Sequence, residues 1–195
     1  MIFTNKGFMY QTKGINIPEM KWKEKGERLD RIIKTLNLEE EKIVSIISLD
    51  NLNPDKAFKF MTSRGGIKIT SLEKFKTSYT KLQALKLKEY DELISVNLKE
   101  LKDEEKNLKI KTKLGLEFTL EVPEIEEAGR NILPVQLFNL SDHDEVINVE
   151  EVEGIDYFEL NIGINEKGKL KAYKTVKEDL LKVKTNSLSE LMIFT

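Results

Sequence analysis

Positively charged side chains recur at and after four glycine-containing turns of this sequence. The turn tips carry Lys6, Arg64, Lys113 and Lys167, and the segments after the turns carry Lys13, Lys68, Lys74, Lys76, Lys169 and Lys171. Cations at regular spacing can hold a row of phosphate groups, because such contacts need positive charge and little else. The pattern therefore predicts a surface for a phosphate backbone. The alternative is that these lysines only keep the protein surface soluble.

Each turn lies between two short segments in which apolar and polar residues alternate. Around Arg64, the alternating segments are residues 58–60 and 67–69, and residues 62–66 form the turn between them. Alternation on both sides of a glycine-bearing turn is typical of a β-hairpin. The same pattern predicts three more hairpins, with turns at residues 4–7, 112–115 and 165–168.

Two markers repeat along the chain with a shared period. The hairpin turns begin at Thr4, Thr62, Thr112 and Asn165, which are 58, 50 and 53 residues apart. A second apolar segment begins at Glu41, Asp91 and Asp144, at separations of 50 and 53 residues. A repeat of about 50 residues that holds several short strands is typical of one blade of a propeller-like array.

The period predicts an all-β protein with about four blades of four strands each, in a single domain over residues 1–195. The repeats are residues 1–53, 54–103, 104–153 and 154–195, and the last is incomplete or is completed by the N-terminal strand. Two interpretations stay open: a piece of a longer array, or a ring closed by its own ends. Residues 29–38 fit either a strand or a short helix, and further strands are expected at residues 82–87 and 188–195.

Composition limits the class of protein. No apolar run approaches the roughly 20 residues that a membrane helix needs, and no secretion signal is expected at the N-terminus. Cysteine is absent, which excludes disulfides and thiolate metal sites and fits a reducing cytosol. Trp22 and the phenylalanines are expected in the cores of the blades.

The net charge of −2 hides an uneven distribution. The four repeats carry net charges of +1, +4, −8 and +1 in chain order, so the acidity resides in the third repeat. The local electrostatic field at the protein surface, more than the total charge of the protein, steers a polyanion. A phosphate backbone should therefore follow the first, second and fourth repeats and avoid the third.

No catalytic or metal site is expected. His143 lies between Asp142 and Asp144, but one histidine between carboxylates in a turn is a weak metal site, and a solvated loop is the better interpretation. No glycine-rich run ends in the Gly-Lys-Ser/Thr of a phosphate-binding loop.

Several runs of the sequence resemble a known family. The runs IFTNKG, IPEMKWKEKG, FMTSRGGIKITSLEKF, LKEYDELISVNL and AGRNILPVQLFNLSDHDEVINV are similar to the C-terminal domain of bacterial type IIA topoisomerase A subunits. The resemblance implies a β-pinwheel, a propeller-like disc whose rim binds and bends duplex DNA and presents the transported segment to the cleavage core. No tyrosine follows an arginine, as the cleavage tyrosine does in this family, so the resemblance implies no catalysis here.

The resemblance also bears on subtype and partners. The glutamine-, arginine- and glycine-rich box of gyrase is absent, which favours topoisomerase IV, whose domain binds DNA more weakly. The implied partners are duplex DNA, the A-subunit core, a chromosome-organising protein and the B subunit, in the cytoplasm at the chromosome. No cofactor is expected in the domain, while ATP and Mg²⁺ serve the parent enzyme. A second hypothesis is a protein-interaction scaffold without DNA binding, which the acidic third repeat would suit.

Overall fold

The computed structural model describes residues 1–141 and 143–154, and the backbone alone of residues 158–164 and 170–176. The described part is built from short β-strands: β1 (Ile2–Thr4), β2 (Phe8–Tyr10), β3 (Ile43–Ile46), β4 (Lys56–Thr62), β5 (Gly66–Ser71), β6 (Lys81–Gln83), β7 (Leu93–Glu100), β8 (Asn107–Thr112), β9 (Glu117–Leu120), β10 (Val135–Gln136), β11 (Val146–Val152), β12 (Phe158–Ile164) and β13 (Leu170–Val176). One short helix, α1 (Leu29–Ile32), and two 3₁₀ turns at Gly14–Asn16 and Leu72–Phe75 complete it. The all-β prediction is confirmed.

The strands form four antiparallel sheets. In order across each sheet, the first is β3-β1-β2-β6, the second β10-β5-β4-β7, the third β11-β8-β9 and the fourth β12-β13. The predicted hairpins at residues 4–7, 62–66 and 112–115 are confirmed as β1–β2, β4–β5 and β8–β9. In the fourth sheet Ile164 pairs with Leu170, and the turn between them lies outside the described residues.

The fourth strand of a sheet comes from the next repeat. We call the segment that follows each hairpin a strap: the first strap is residues 11–40, the second residues 72–90 and the third residues 121–141. The second strap supplies β6, which pairs with β2 in the first sheet, and the third strap supplies β10, which pairs with β5 in the second. Neighbouring repeats are therefore joined by backbone hydrogen bonds as well as by packing.

The core lies between adjacent sheets. Phe3 of the first sheet packs edge-on against Phe58 and Phe60 of the second, at ring-centroid distances of 4.9 and 5.8 Å. On the other face of the second sheet, Met61 and Ile67 pack in one cluster with residues of the third sheet. Because the second sheet is covered on both faces, all six residues of β5 are buried.

Several local predictions needed correction. Of the two alternatives left open for residues 29–38, the structure has the short helix, α1. The strand expected at residues 82–87 is corrected to the shorter β6. The phenylalanines Phe3, Phe58, Phe60 and Phe75 are buried as expected, but Trp22 is 99% exposed, so its placement in a blade core was wrong. The strand expected at residues 188–195 lies outside the described residues. No helix in the described part of the chain is long and apolar enough to cross a membrane.

Candidate nucleic-acid interface

The three described hairpin turns share one geometry. The turn glycine donates its N–H to the carbonyl of the threonine three residues earlier, at 2.9 Å for Gly7 and 3.1 Å for Gly65 and Gly115. All three glycines have φ between 75° and 93°, a conformation that favours glycine. The backbone of each turn is thus fixed, and with it the residue at the tip.

The tip cations of the first two turns contact the next repeat. Lys6 forms an ion pair with Glu92 at 3.0 Å, and its side chain is half exposed. Arg64 donates from its guanidinium to the carbonyl oxygens of Ser141 (3.0 Å), Asp144 (2.5 Å) and Leu140 (3.3 Å). These cations therefore join adjacent repeats, a structural role that is not evident from the sequence.

The carboxylate that faces Lys6 responds to this contact. Burial on its own would raise the pKa of Glu92, but hydrogen bonds from Lys6 and Asn5 lower that pKa overall. Glu92 is therefore ionised at neutral pH, and its negative charge neutralises part of the positive charge of Lys6. A phosphate would have to compete with Glu92 for this lysine.

Lys113 is not the counterpart of Lys6 and Arg64. Its backbone N–H donates to the carbonyl of Glu145, as that of Ser63 does to Glu92, which places Lys113 one residue before the tip. The tip itself is Leu114, which is 65% exposed. The side chain of Lys113 pairs with Glu145 of its own repeat at 2.8 Å, and the equivalence expected from sequence was wrong by one position.

Lys68 lies in the interior and not at the rim. It is 1% exposed, and its ammonium group donates to the carbonyl oxygens of Arg130 and Ile132, both at 2.8 Å. Burial, with a smaller contribution from the nearby Arg130 charge, lowers the pKa of Lys68 to about 8. No phosphate can reach this side chain without unpacking the third strap, so its placement on a binding surface is corrected.

Besides the half-exposed Lys6, three predicted site residues lie at the surface. Lys13, Lys74 and Lys76 are exposed, and none of them forms an ion pair within the described part of the chain. Lys74 and Lys76 lie two residues apart on the second strap, at the end of the 3₁₀ turn Leu72–Phe75. Lys167 and Lys169 lie outside the described residues, and of Lys171 only the backbone, in β13, is described.

The second strap carries two further exposed lysines that sequence reasoning missed. Lys86 and Lys88 follow β6 closely and are exposed. Lys81 in β6 is different: it pairs with Glu41 at 3.2 Å and its ammonium lies 3.9 Å from the ring centre of Phe8. The excess of lysine over glutamate in residues 72–90 was the available signal, since this strap holds five lysines and two glutamates.

The second and third straps differ in the sign of their charge. The exposed residues of the third strap include Glu124, Glu126 and Glu127, with Arg130 as its one basic residue. Arg130 in turn donates to the carbonyl oxygen of Gln83 at 2.8 Å, so its guanidinium is already engaged. Two neighbouring straps thus present a basic and an acidic surface.

A buried polar cluster in the first repeat has a structural role. Tyr10 and Thr4 both donate hydrogen bonds to the carboxylate of Glu41 at 2.5 Å. Burial and the contact with Glu41 raise the pKa of the Tyr10 hydroxyl. For Glu41, burial would raise the pKa, but the hydrogen bonds from Thr4, Tyr10 and Lys81 lower it overall. Tyr10 is fully buried, so the cluster fixes β1, β2 and β6 around one carboxylate.

His143 does not join a group of ligands. It is exposed, and no group of three or more histidine, cysteine, aspartate or glutamate side chains within residues 1–141 and 143–154 is placed to hold a metal ion. Its neighbour Asp144 is buried and accepts hydrogen bonds from the backbone N–H groups of Leu114 (3.0 Å) and Glu145 (2.9 Å).

The sequence model of the DNA gyrase C-terminal domain, a β-propeller, matches residues 1–50 and 60–98. The chain belongs to this family. Relatives include the A subunit of DNA topoisomerase 4 from Staphylococcus aureus, strain MRSA252, which is 30% identical over 158 residues. That match covers 80% of this chain and 19% of the relative, so the chain spans about a fifth of the length of this curated protein.

Solved structures support the fold. The crystal structure of the C-terminal domain of DNA topoisomerase IV superposes with a TM-score of 0.69 at 23% identity, over 89% of this chain and 52% of that one. A structure of the DNA gyrase A C-terminal domain superposes with a TM-score of 0.55, also at 23% identity, over 88% of this chain and 52% of that one. Both neighbours are about twice as long as the part that the chain matches.

Proposed function

We propose that the chain binds and bends duplex DNA as the C-terminal domain of a type IIA topoisomerase A subunit. The observation that carries the proposal is the second strap, where Lys74, Lys76, Lys86 and Lys88 are exposed and form no ion pair in the described part of the chain. Lys13 on the first strap extends this basic surface along the sequence. Lysines of this kind suit phosphate contacts, which hold a duplex without reading its sequence.

Bending a duplex requires contacts on more than one repeat. Smoothly bending a short duplex costs on the order of 1–6 kcal/mol, so several contacts must act together. The net charge differs between the repeats, at +4 for the second repeat and −8 for the third. The duplex should therefore follow the first, second and fourth repeats and avoid the third.

In the proposed parent enzyme, DNA binding by this domain would serve the topoisomerase reaction. In our proposal the domain, itself without catalysis or cofactor, presents the transported DNA segment to a cleavage core that uses ATP and Mg²⁺. The relatives named as A subunits of topoisomerase 4, together with the absence of a gyrase-type glutamine-, arginine- and glycine-rich box, support decatenation and relaxation over supercoiling. The A-subunit core, a chromosome-organising protein and the B subunit would be its partners, in the cytoplasm at the chromosome.

The acidic third strap supports a second candidate, a scaffold for a basic protein partner. Glu124, Glu126 and Glu127 are exposed close together on the same segment, where they would repel a phosphate backbone. The two functions are compatible, because they use different straps.

Bending is tested with a short duplex that carries a donor and an acceptor dye at its two ends. Adding the chain at low salt should raise energy transfer, because bending brings the ends together. The matched control is the variant Lys74→Glu/Lys76→Glu at a concentration that gives equal occupancy by anisotropy. Binding without any change in energy transfer would support DNA binding but reject bending. An absence of binding at low salt would reject the whole proposal.

A further inference from the structure

The exposed aromatic side chains of the described part of the chain lie on the first and second straps. Trp22 on the first strap is 99% exposed, and Tyr79 and Tyr90 on the second strap are 72% and 89% exposed. The third strap, residues 121–141, has Phe138 as its one aromatic residue, and this ring is buried. Exposed aromatic rings therefore occur on the straps that carry exposed lysines and not on the acidic strap.

A closed turn presents Trp22 to the solvent. Glu24 donates its backbone N–H to the carbonyl oxygen of Lys21 at 2.9 Å, and the carboxylate of Glu24 accepts the backbone N–H of Lys21 at 3.0 Å. These two hydrogen bonds close a β-turn whose central residues are Trp22 and Lys23. The indole is thus held at the tip of an ordered turn, with a lysine on either side of it along the chain.

The surroundings of Trp22 are basic. The exposed lysines of this segment, none of which forms an ion pair in the described part of the chain, are Lys13, Lys21, Lys23 and Lys25. Covering the indole with an apolar protein surface would also take the neighbouring ammonium groups out of water, which is costly without a compensating charge. A ligand for Trp22 therefore has to combine a flat apolar face with negative charge close to it.

The first strap continues the basic surface of the second. The side chain of Gln11 donates to the carbonyl oxygens of Thr77 and Tyr79, and its backbone N–H donates to that of Thr80, each at 2.9 Å. Thr77 directly follows Lys76, so the start of the first strap is fixed beside the exposed lysines of the second. A polyanion bound to the second strap can therefore pass Tyr79 and continue onto the first.

We propose that the first and second straps bind single-stranded DNA, with the indole of Trp22 stacked on an unpaired base and the adjacent lysines on the flanking phosphates. Tyr79 and Tyr90 offer further stacking surfaces on the second strap. Aromatic side chains placed among cations bind single strands in this way without reading their sequence. The site goes beyond the proposed duplex binding, which needs phosphate contacts alone, because a duplex keeps the faces of its bases covered by one another.

An anionic lipid surface is the other polyanion that an exposed tryptophan among lysines could suit. The second strap argues against it, since residues 72–90 expose two tyrosines and no large aliphatic side chain that could enter a bilayer. On the first strap the exposed Glu19 lies directly beside Met20, where it would oppose insertion of that apolar side chain. The observations therefore favour a nucleic acid.

The fluorescence of Trp22 tests the proposal, because it is the one tryptophan in the sequence. The whole chain is titrated at low salt with a thymine oligonucleotide of about 20 nucleotides, which exceeds the usual site size of such proteins. The matched ligands are an abasic strand of the same length, which keeps the phosphates and lacks the bases, and a duplex of the same length. The thymine strand should quench Trp22 emission, while the abasic strand and the duplex should leave it unchanged.

Substitutions separate stacking from general apolar contact. Trp22→Ala should weaken binding of a labelled thymine strand, measured by anisotropy, by about 5- to 150-fold, the range found on loss of one stacked base. Trp22→Phe keeps an aromatic face and should recover most of the affinity. The control Ile15→Ala removes an exposed apolar side chain of the same strap and should leave the affinity unchanged. All these side chains are exposed, so the variants should keep the Tm of the wild type.

Several results would overturn the proposal. One is the absence of quenching by the thymine strand at low salt, and another is equal quenching by the abasic strand. Equal quenching by the duplex would reject a single-strand site and make insertion between base pairs the role of Trp22. A shift of Trp22 emission to shorter wavelength with phosphatidylglycerol vesicles, without quenching by the thymine strand, would assign the site to lipid. Duplex affinity and bending are measured separately, so failure here leaves the proposed function standing.

Discussion

The guanidinium of Arg64 donates a hydrogen bond to the carbonyl oxygen of Asp144, 2.5 Å away in the following repeat. The same side chain also reaches the carbonyls of Leu140 and Ser141. A residue whose type and position suggest phosphate contact is thus part of the junction between the second and third repeats. This distinction separates the cations that build the array from those that are available to a ligand.

Replacing Arg64 with methionine should destabilise the protein. The variant keeps much of the side-chain length but leaves three carbonyls without their charged donor, and a hydrogen bond to a charged group contributes about 1.5–3 kcal/mol. We expect the free energy of unfolding in urea to fall by about 2 kcal/mol. The control Lys74→Met, on an exposed lysine, should change it by less than about 0.5 kcal/mol. Equal effects of the two substitutions would contradict the structural role of Arg64.

Gly65→Ala should be strongly destabilising. Gly65 has φ of +82°, and a Cβ there would lie 2.7 Å from Cε2 and 2.9 Å from the carbonyl oxygen of Phe138. The backbone conformation alone costs about 1–2 kcal/mol for an alanine, and the clash with backbone adds to it. Gly14→Ala is the matched control, because nothing lies within 4 Å of its Cβ. A thermal melt in which both variants unfold at the same temperature would refute the close approach of the third strap.

The stability difference between the wild type and Lys68→Met should depend on pH. The pKa of Lys68 is about 8 in the folded protein against an ordinary value of 10.5, so its charge is disfavoured by folding. Below pH 8 the lysine is protonated in both states and this penalty is complete. As pH rises from 8 to 10.5 the folded state loses the proton first, the penalty falls, and the wild type should gain stability relative to the variant.

This gain should reach on the order of 1–3 kcal/mol by the upper end of that range. Urea unfolding of both proteins at matched pH values measures this difference in stability. The other lysines and the tyrosines are common to the two proteins, so their contributions to the pH dependence cancel. A difference that stays constant between pH 7 and pH 10 would mean that the Lys68 ammonium is not desolvated as the structure has it.

Charge reversal on the second strap should weaken DNA binding more than charge reversal on the third hairpin. Lys74→Glu/Lys76→Glu removes two exposed cations, and each lost phosphate contact should lower the slope of log K against log salt by about 0.9 in magnitude. Lys113→Glu changes a lysine that Glu145 already neutralises and that lies in the acidic repeat. Anisotropy with a labelled duplex measures the affinity of both variants. Equal losses of affinity would contradict the proposal that the duplex follows the second strap and avoids the third repeat.

The hairpins and their period could be predicted from sequence because both are local. Alternation around residues 62–66 identifies β4 and β5, and the spacing of Thr4, Thr62 and Thr112 identifies their relatives. Which sheet receives β6 or β10 could not be predicted in this way. These strands have three and two residues, too few for a pattern, and their partners lie in another repeat.

The burial of Lys68 escaped prediction for a different reason. Alternation of apolar and polar residues along a strand distinguishes its buried face from its exposed face only when one face of the sheet is solvated. The second sheet packs against neighbours on both faces, so Ile67 and Lys68, which point to opposite faces, are both buried. The opposite error concerns Trp22, where aromatic character suggested a core, yet the segment that carries it has no partner sheet among the described residues.

The salt dependence of duplex binding tests the central claim most directly. Titrations of the whole chain with a short labelled duplex, from low to moderate salt, should give an affinity that falls steeply and linearly on logarithmic axes. With four exposed lysines on the second strap and Lys13 on the first, the slope should be roughly −3 to −5. Absence of binding at low salt, or an affinity that does not change with salt, would contradict a function based on phosphate contact.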